Sequence, residues 1–168
     1  MSAHLSPRAA ERRFYLANLL ATRAGEKPHY RRVLEAAGVR CCEIDPRYAM
    51  EGEADFFPAG DALLFSHGRL ERQRFAPAFG FPPWRRIYGF RSDARALPLL
   101  REIAGPAREV LPIELRLETH YHGDTALCAF GPGRAHLLVY RRALSPRSWK
   151  IVHAAFGERV IEIEEDDA

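Results

Sequence analysis

Strand, strand, helix, strand is an order this chain spells out twice in succession, and few folds accommodate it. In the first copy Asp55-Phe56-Phe57 reads as a strand, Pro58-Ala59-Gly60-Asp61 as a turn and Ala62-Leu63-Leu64-Phe65 as a second strand. A helix is expected from a Ser92 cap, with Ala96, Leu97, Leu100 and Ile103 at helical spacing as its inner face. Val110 to Leu115 then reads as a strand. In the second copy Thr125 to Phe130 and His136 to Tyr140 flank a Gly131-Pro132-Gly133 turn. Ser145-Pro146 opens a helix with Trp149, Val152 and Phe156 inward, Gly157 stops it, and Val160 to Ile163 closes the copy. A partial third copy precedes both. There Arg13 to Ala21 fits strand or helix, and a helix begins near Pro28 with Tyr30, Val33, Leu34 and Ala37 on one face. Gly38 ends that helix, and Val39 to Ile44 is expected as a buried strand. Units that bury their faces against neighbours make an array, so the expectation is one α/β domain over residues 1–168.

The first copy carries an insertion at about 66–87, where arginines alternate with Phe75, Phe79, Phe81 and Trp84. Arginine with aromatics can stack on single-stranded bases, but a long excursion of this kind fits a functional loop or lid at least as well. The net charge of +3 is dispersed along the chain, and its end is acidic, so no nucleic-acid partner is expected. No run approaches the ~20 apolar residues of a membrane span, and Met1 to Arg13 has no apolar segment of the kind that marks a secretory signal. Cys41, Cys42 and Cys128 form neither a disulfide framework nor a zinc-knuckle spacing. A reduced, cytoplasmic protein without membrane partner is expected.

Two polar clusters stand at strand mouths. One is Thr119-His120-Tyr121-His122-Gly123-Asp124-Thr125, and the other is Glu51-Gly52-Glu53-Ala54-Asp55. Two imidazoles and a carboxylate so close together offer proton transfer or metal binding; a polar turn with solvated histidines is the plainer reading. If the clusters face one pocket, carboxylates and an imidazole meet there.

Three stretches in order, Glu51 to Asp55, Gly89-Phe90-Arg91-Ser92-Asp93 and Tyr121 to Leu127, resemble the guanidino-group-modifying enzymes. That superfamily includes dimethylargininase, arginine deiminase and glycine amidinotransferase. The resemblance runs from about Tyr15 to Ala168 and takes in Arg23-Ala24-Gly25-Glu26. It implies a pentein-type α/β propeller of ββαβ blades, here incomplete at about three of five. It also implies chemistry on a small arginine-like guanidino compound, by hydrolysis or amidino transfer, with no cofactor and no metal. A cysteine thiolate attacks the guanidinium carbon in such enzymes, a histidine is general acid and base, and carboxylates hold the cation. By resemblance His122 is the catalytic histidine and Glu51 its acidic partner, with Glu53 the alternative. Asp124 contacts the guanidinium, Arg91 meets the substrate carboxylate, and Asp55, the structural carboxylate opening the strand, is counted with them in the substrate-binding set.

Some positions depart from that pattern. Gly123 replaces a usual Leu, which is expected to loosen the backbone aiming His122 and Asp124. Ser92 stands where Thr is commoner. No cysteine takes the nucleophile's place: Cys41 and Cys42 are expected in a buried strand, and Cys128 in the core. The expectation is therefore a truncated relative, inactive alone, with open strand edges covered by a second copy or a complementing chain. Two alternatives stay open. One is a metal-dependent hydrolase using His120, His122 and Asp124, with both histidines on one face of a strand. The other is a non-catalytic guanidino-ligand binding or interaction protein.

Overall fold

The computed structural model describes residues 26, 28–41, 44–45, 47–69, 74–81, 83–87 and 92–164. The strand-or-helix stretch at 13–21, Arg23 to Gly25, Cys42 and Arg91 lie outside them. Contacts divide the chain into two compact units, Met1–Glu43 and Ile44–Ala168.

In the first unit helix α1 covers 28–36, and Gly38 (φ 77°) ends it as expected, with the Val39 amide donating back to the Leu34 carbonyl at 2.9 Å. The apolar face is not buried: Tyr30, Val33, Leu34 and Ala37 are all exposed. The buried strand expected over Val39–Ile44 is also corrected. Val39 is exposed, Cys41 is half-buried, and no described residue of that stretch is in a strand. Its apolar run satisfies strand periodicity but has no paired neighbour among the described residues.

The second unit contains both complete copies of the repeat. Strands β1 (Phe56–Ala59) and β2 (Ala62–His67) pair antiparallel, helix α2 (Leu97–Ala104) crosses over, and β5 (Val110–Glu114) returns parallel to β2. Between β2 and α2 the insertion forms a hairpin, β3 (Arg74–Pro77) with β4 (Trp84–Ile87), whose connecting loop exposes Phe79 and Phe81. Next come β6 (Leu127–Phe130), β7 (His136–Val139), helix α3 (Pro146–Phe156) and β8 (Val160–Glu162), with β6 antiparallel and β8 parallel to β7. The sheet orders β1-β2-β5 and β6-β7-β8 are the same topology twice. Parallel return through a helix covers the central strand on both faces, which is why Leu64, Phe65 and Ser66 of β2 are buried in a row.

Successive residues of β2 serve different cores. Leu64 joins Phe57, Ile113, Leu127, Leu137, Val152 and Phe156 in a cluster shared by both copies. Phe65 joins Ala96, Leu100 and Val110 beneath α2. Ile103, expected on that inner face, is instead largely exposed near the helix end. The copies are also stitched by backbone: Leu115 bridges Leu144, and the Arg116 amide donates to the Ala143 carbonyl at 2.7 Å. This stitching fixes the segment between β5 and β6 against the mouths of β1 and β2.

Candidate functional site

Asp55 lies between a one-turn 3-10 helix, Gly52–Ala54, and β1, and only 1% of it is exposed. Burying a carboxylate is costly unless donors replace the lost water. Three donors do so here. Oδ1 accepts from the Gly123 amide at 2.9 Å and the Ser66 hydroxyl at 3.0 Å; Oδ2 accepts from the Ser92 hydroxyl. The Ser66 amide also donates to the Asp55 carbonyl at 2.7 Å, as the β1–β2 ladder requires. Hydrogen bonds to a charged acceptor are worth about 1.5–3 kcal/mol each, so this side chain ties β1, β2, the approach to α2 and the β5–β6 segment together.

His122 presents its Nδ1 to the same carboxylate, 3.5 Å from Asp55 Oδ2. That is ion-pair range but outside hydrogen-bond geometry, and the buried Nδ1 has no other partner. A facing carboxylate favours the proton on Nδ1, which would leave Nε2 for exchange with a ligand. The ring packs against Tyr121, centroids 4.5 Å apart. Both expected clusters thus converge, through Asp55 and His122.

Gly123 corrects an expectation. It does not loosen the backbone, because the position has no room for a side chain. A Cβ there would stand 2.1 Å from Ser66 Oγ, 2.9 Å from Ser66 Cβ and 3.1 Å from the Ala54 carbonyl oxygen. Glycine is what lets the β5–β6 segment approach β2 closely enough to donate to Asp55.

The other expected residues fall as follows. Glu51 precedes the Gly52–Ala54 turn and Glu53 lies within it, both exposed, and the Glu51 amide donates to Ser92 Oγ at 3.2 Å. Asp124 is exposed on the 3-10 turn Gly123–Thr125. That turn and Gly52–Ala54 occupy matching places. In each, the residue before the strand donates back to the glycine carbonyl, Asp55 to Gly52 at 3.1 Å and Ala126 to Gly123 at 3.0 Å. Glu51 and His122 therefore hold equivalent positions in successive copies. Cys128, expected in the core, is exposed on β6.

The strand needed to put His120 and His122 on one face is absent: Glu118–His120 is a separate 3-10 turn, and the His120 ring packs 4.8 Å from that of Tyr140. Burial lowers the His120 pKa. Among the described residues no group of three His, Cys, Asp or Glu side chains is arranged to hold a metal ion.

Ser66 and Ser92 carry the site without a sequence signal of their own. Ser92 reads as a helix cap, but that task belongs to its neighbour: Asp93 accepts from the Arg95 amide at 2.9 Å, which frees the Ser92 hydroxyl for Asp55. Arg95 also pairs with Asp93 at 2.6 Å and holds that carboxyl below its ordinary value. His67, at the end of β2, has its pKa lowered by burial, against the pull of Glu114, Asp55 and Asp93.

No family model matches the sequence. Two curated proteins do: the bifunctional arginine dihydrolase/ornithine cyclodeaminase AgrE of Nostoc sp., 32% identical over 147 residues, and ArgZ of Synechocystis sp., 30% identical over 147 residues. Each match takes in 87% of this chain and 18% of the relative, so the chain spans under a fifth of their length. Among solved structures, AgrE in complex with L-arginine superposes with a TM-score of 0.66 at 25% identity, over 85% of this chain and 18% of that one. The product-bound N-terminal domain of ArgZ, an arginine dihydrolase, gives 0.64 at 25% identity, over 85% and 44%. Among the described residues no helix is long and apolar enough to cross a membrane.

Proposed function

The chain is a homologue of the arginine dihydrolases of the guanidino-group-modifying superfamily, and from that premise we propose that its site handles the guanidinium of an arginine-like ligand. The observation that carries this is the meeting of His122 and Asp55 at the junction of the two copies, with Asp124 and Glu51 standing in equivalent turns beside it. Asp55, saturated by protein donors, positions His122 and does not touch ligand. The exposed carboxylates of Asp124 and of Glu51 or Glu53 hold the planar cation, for which paired carboxylates are the geometric match. Arg91 takes the ligand's carboxylate.

In the full reaction a cysteine thiol passes its proton to His122 Nε2 as its sulfur attacks the guanidinium carbon, and the imidazolium so formed returns that proton to the departing ammonia. His122 then takes a proton from the water that releases the thiol. The side-chain contacts of His122 are with Asp55 and Tyr121 and not with a cysteine, so we assign the thiolate to none of the described residues. Without such a thiolate the described residues bind ligand and do not turn it over. Titration with L-arginine, followed by the imidazole resonance of His122 and by heat, tests this. Binding that weakens at least tenfold in D124N and H122A is expected. No binding of arginine or agmatine, or turnover by the chain alone at ordinary enzymatic rates, overturns the proposal.

A further inference from the structure

We infer that Ser66 and Gly123 are a matched pair, and that Ser66 is a positioning residue for His122. The Ser66 side chain is fully buried and occupies the volume into which any side chain at 123 would project, with Oγ 2.1 Å and Cβ 2.9 Å from the site of that missing Cβ. Its single hydroxyl proton lies between two acceptors of Asp55, Oδ1 at 3.0 Å and the carbonyl oxygen at 3.2 Å. Gly123, spared a side chain, brings its amide to the same Oδ1 at 2.9 Å. Oδ1 is thus pinned from two sides, and the carboxylate cannot rotate. Its other oxygen is left toward Ser92 and His122 Nδ1. The consequence is directional: the two small residues fix the plane of Asp55, and that plane selects which imidazole nitrogen of His122 keeps its proton. A larger residue at 123 is compatible with this fold only if residue 66 gives up its side chain. The two positions are read as one unit.

The packing half of this inference is independent of the proposed function; the tautomer half rests on His122 being the proton-transfer group. Thermal midpoints of the parent, G123A, S66G and S66G/G123A chains test the first. G123A is expected to fall by several degrees or fail to fold, because closely packed interiors do not absorb an added methyl group. In the S66G background the two closest of those contacts are gone, the nearest that remains is the Ala54 carbonyl oxygen at 3.1 Å, and the same substitution should cost far less. A double variant no more stable than G123A overturns the pairing.

S66A keeps the Cβ and removes only the hydroxyl, and it tests the second half. Long-range 15N–1H correlation of the ligand-free chain above pH 8 is expected to show the Nδ1–H form of His122 in the parent and a mixture with Nε2–H in S66A. Identical tautomer signals in the two overturn the positioning role. All these measurements are made without arginine. Failure to bind arginine therefore counts against the proposed function alone, and an unchanged tautomer in a chain that binds arginine counts against this inference alone.

Discussion

Replacing Asp55 by Asn preserves volume but converts one acceptor oxygen into a donor, in a place where every neighbour already donates or faces it with a proton. Whichever way the amide turns, its NH2 meets the Gly123 amide and Ser66 hydroxyl or the Ser92 hydroxyl and His122. A buried mismatch of this kind costs about 1–3 kcal/mol. At about 2–4 °C per kcal/mol for a chain of this size, the melting midpoint of D55N is expected to fall clearly, and calorimetry measures it. H122A, by contrast, removes a side chain that makes no hydrogen bond in geometry, so its midpoint should move less than that of D55N while its response to arginine disappears. A D55N chain as stable as the parent would show that the Ser66 or Ser92 hydroxyl turns to accept from the amide without cost.

Elements whose signals are local were legible in the sequence, and those set by tertiary demand were not. Helix α3 shows the first kind. Ser145 caps it by accepting from the Ser148 amide at 3.2 Å, Pro146 opens it, Val152 and Phe156 are buried, and Gly157 ends it with φ 55°. The sequence does not reveal that the cap is also a strut. Ser145 Oγ donates to Ser148 Oγ, which accepts from the Glu114 amide of β5 at 2.7 Å. S145A is therefore expected to lose the ~1 kcal/mol of an ordinary cap and more, because the Ser148 hydroxyl loses its donor. S148A should show a strongly non-additive partner effect in a double-mutant cycle. Gly157→Ala is the control: a Cβ there meets nothing within 4 Å, so only the left-handed backbone is penalised, at about 1 kcal/mol. Helix α2 shows the second kind. Ser92 and Asp93 are equally good caps by composition, and only the approach of Asp55, 37 residues away in sequence, decides between them. The polar cluster at Glu51–Asp55 and the histidine at 122 were visible as candidates. Of the two residues that lock them, Ser66 was not, since a buried serine inside an apolar strand carries no pattern until the chain is folded, and Gly123 stood out with the wrong sign, because only the fold shows Ser66 filling the place of its side chain.

At the scale of the molecule, two half-buried histidines among the described residues should shape how stability responds to mild acid. His67 and His120 both have lowered pKa values because burial penalises their charged forms, partly offset at His67 by Glu114, Asp55 and Asp93. Unfolding returns each to the ordinary value of 6.5, so below that pH the unfolded chain binds protons that the folded chain refuses. By linkage, stability is complete above about pH 6.5 and is lost as pH falls toward the lowered values. Beneath those values both states are protonated and the loss stops growing. A second stage belongs to Asp93. Its pairing with Arg95 lowers its pKa from 3.8, so that contribution persists until the pH drops below 3.8 and is then lost. The melting midpoint should therefore fall in two steps, one starting near neutrality and one in strong acid. H120Q keeps a polar ring-sized side chain against Tyr140 but cannot titrate, so it should flatten the upper step and leave the lower one in place. D93N should do the reverse, with a lower midpoint throughout from the weakened cap. Parent and H120Q midpoints that fall in parallel from pH 7.5 to 5 would show that His120 takes up its proton without leaving its place beside Tyr140. His67, the other described histidine with a lowered pKa, would then be the group to test, by H67Q.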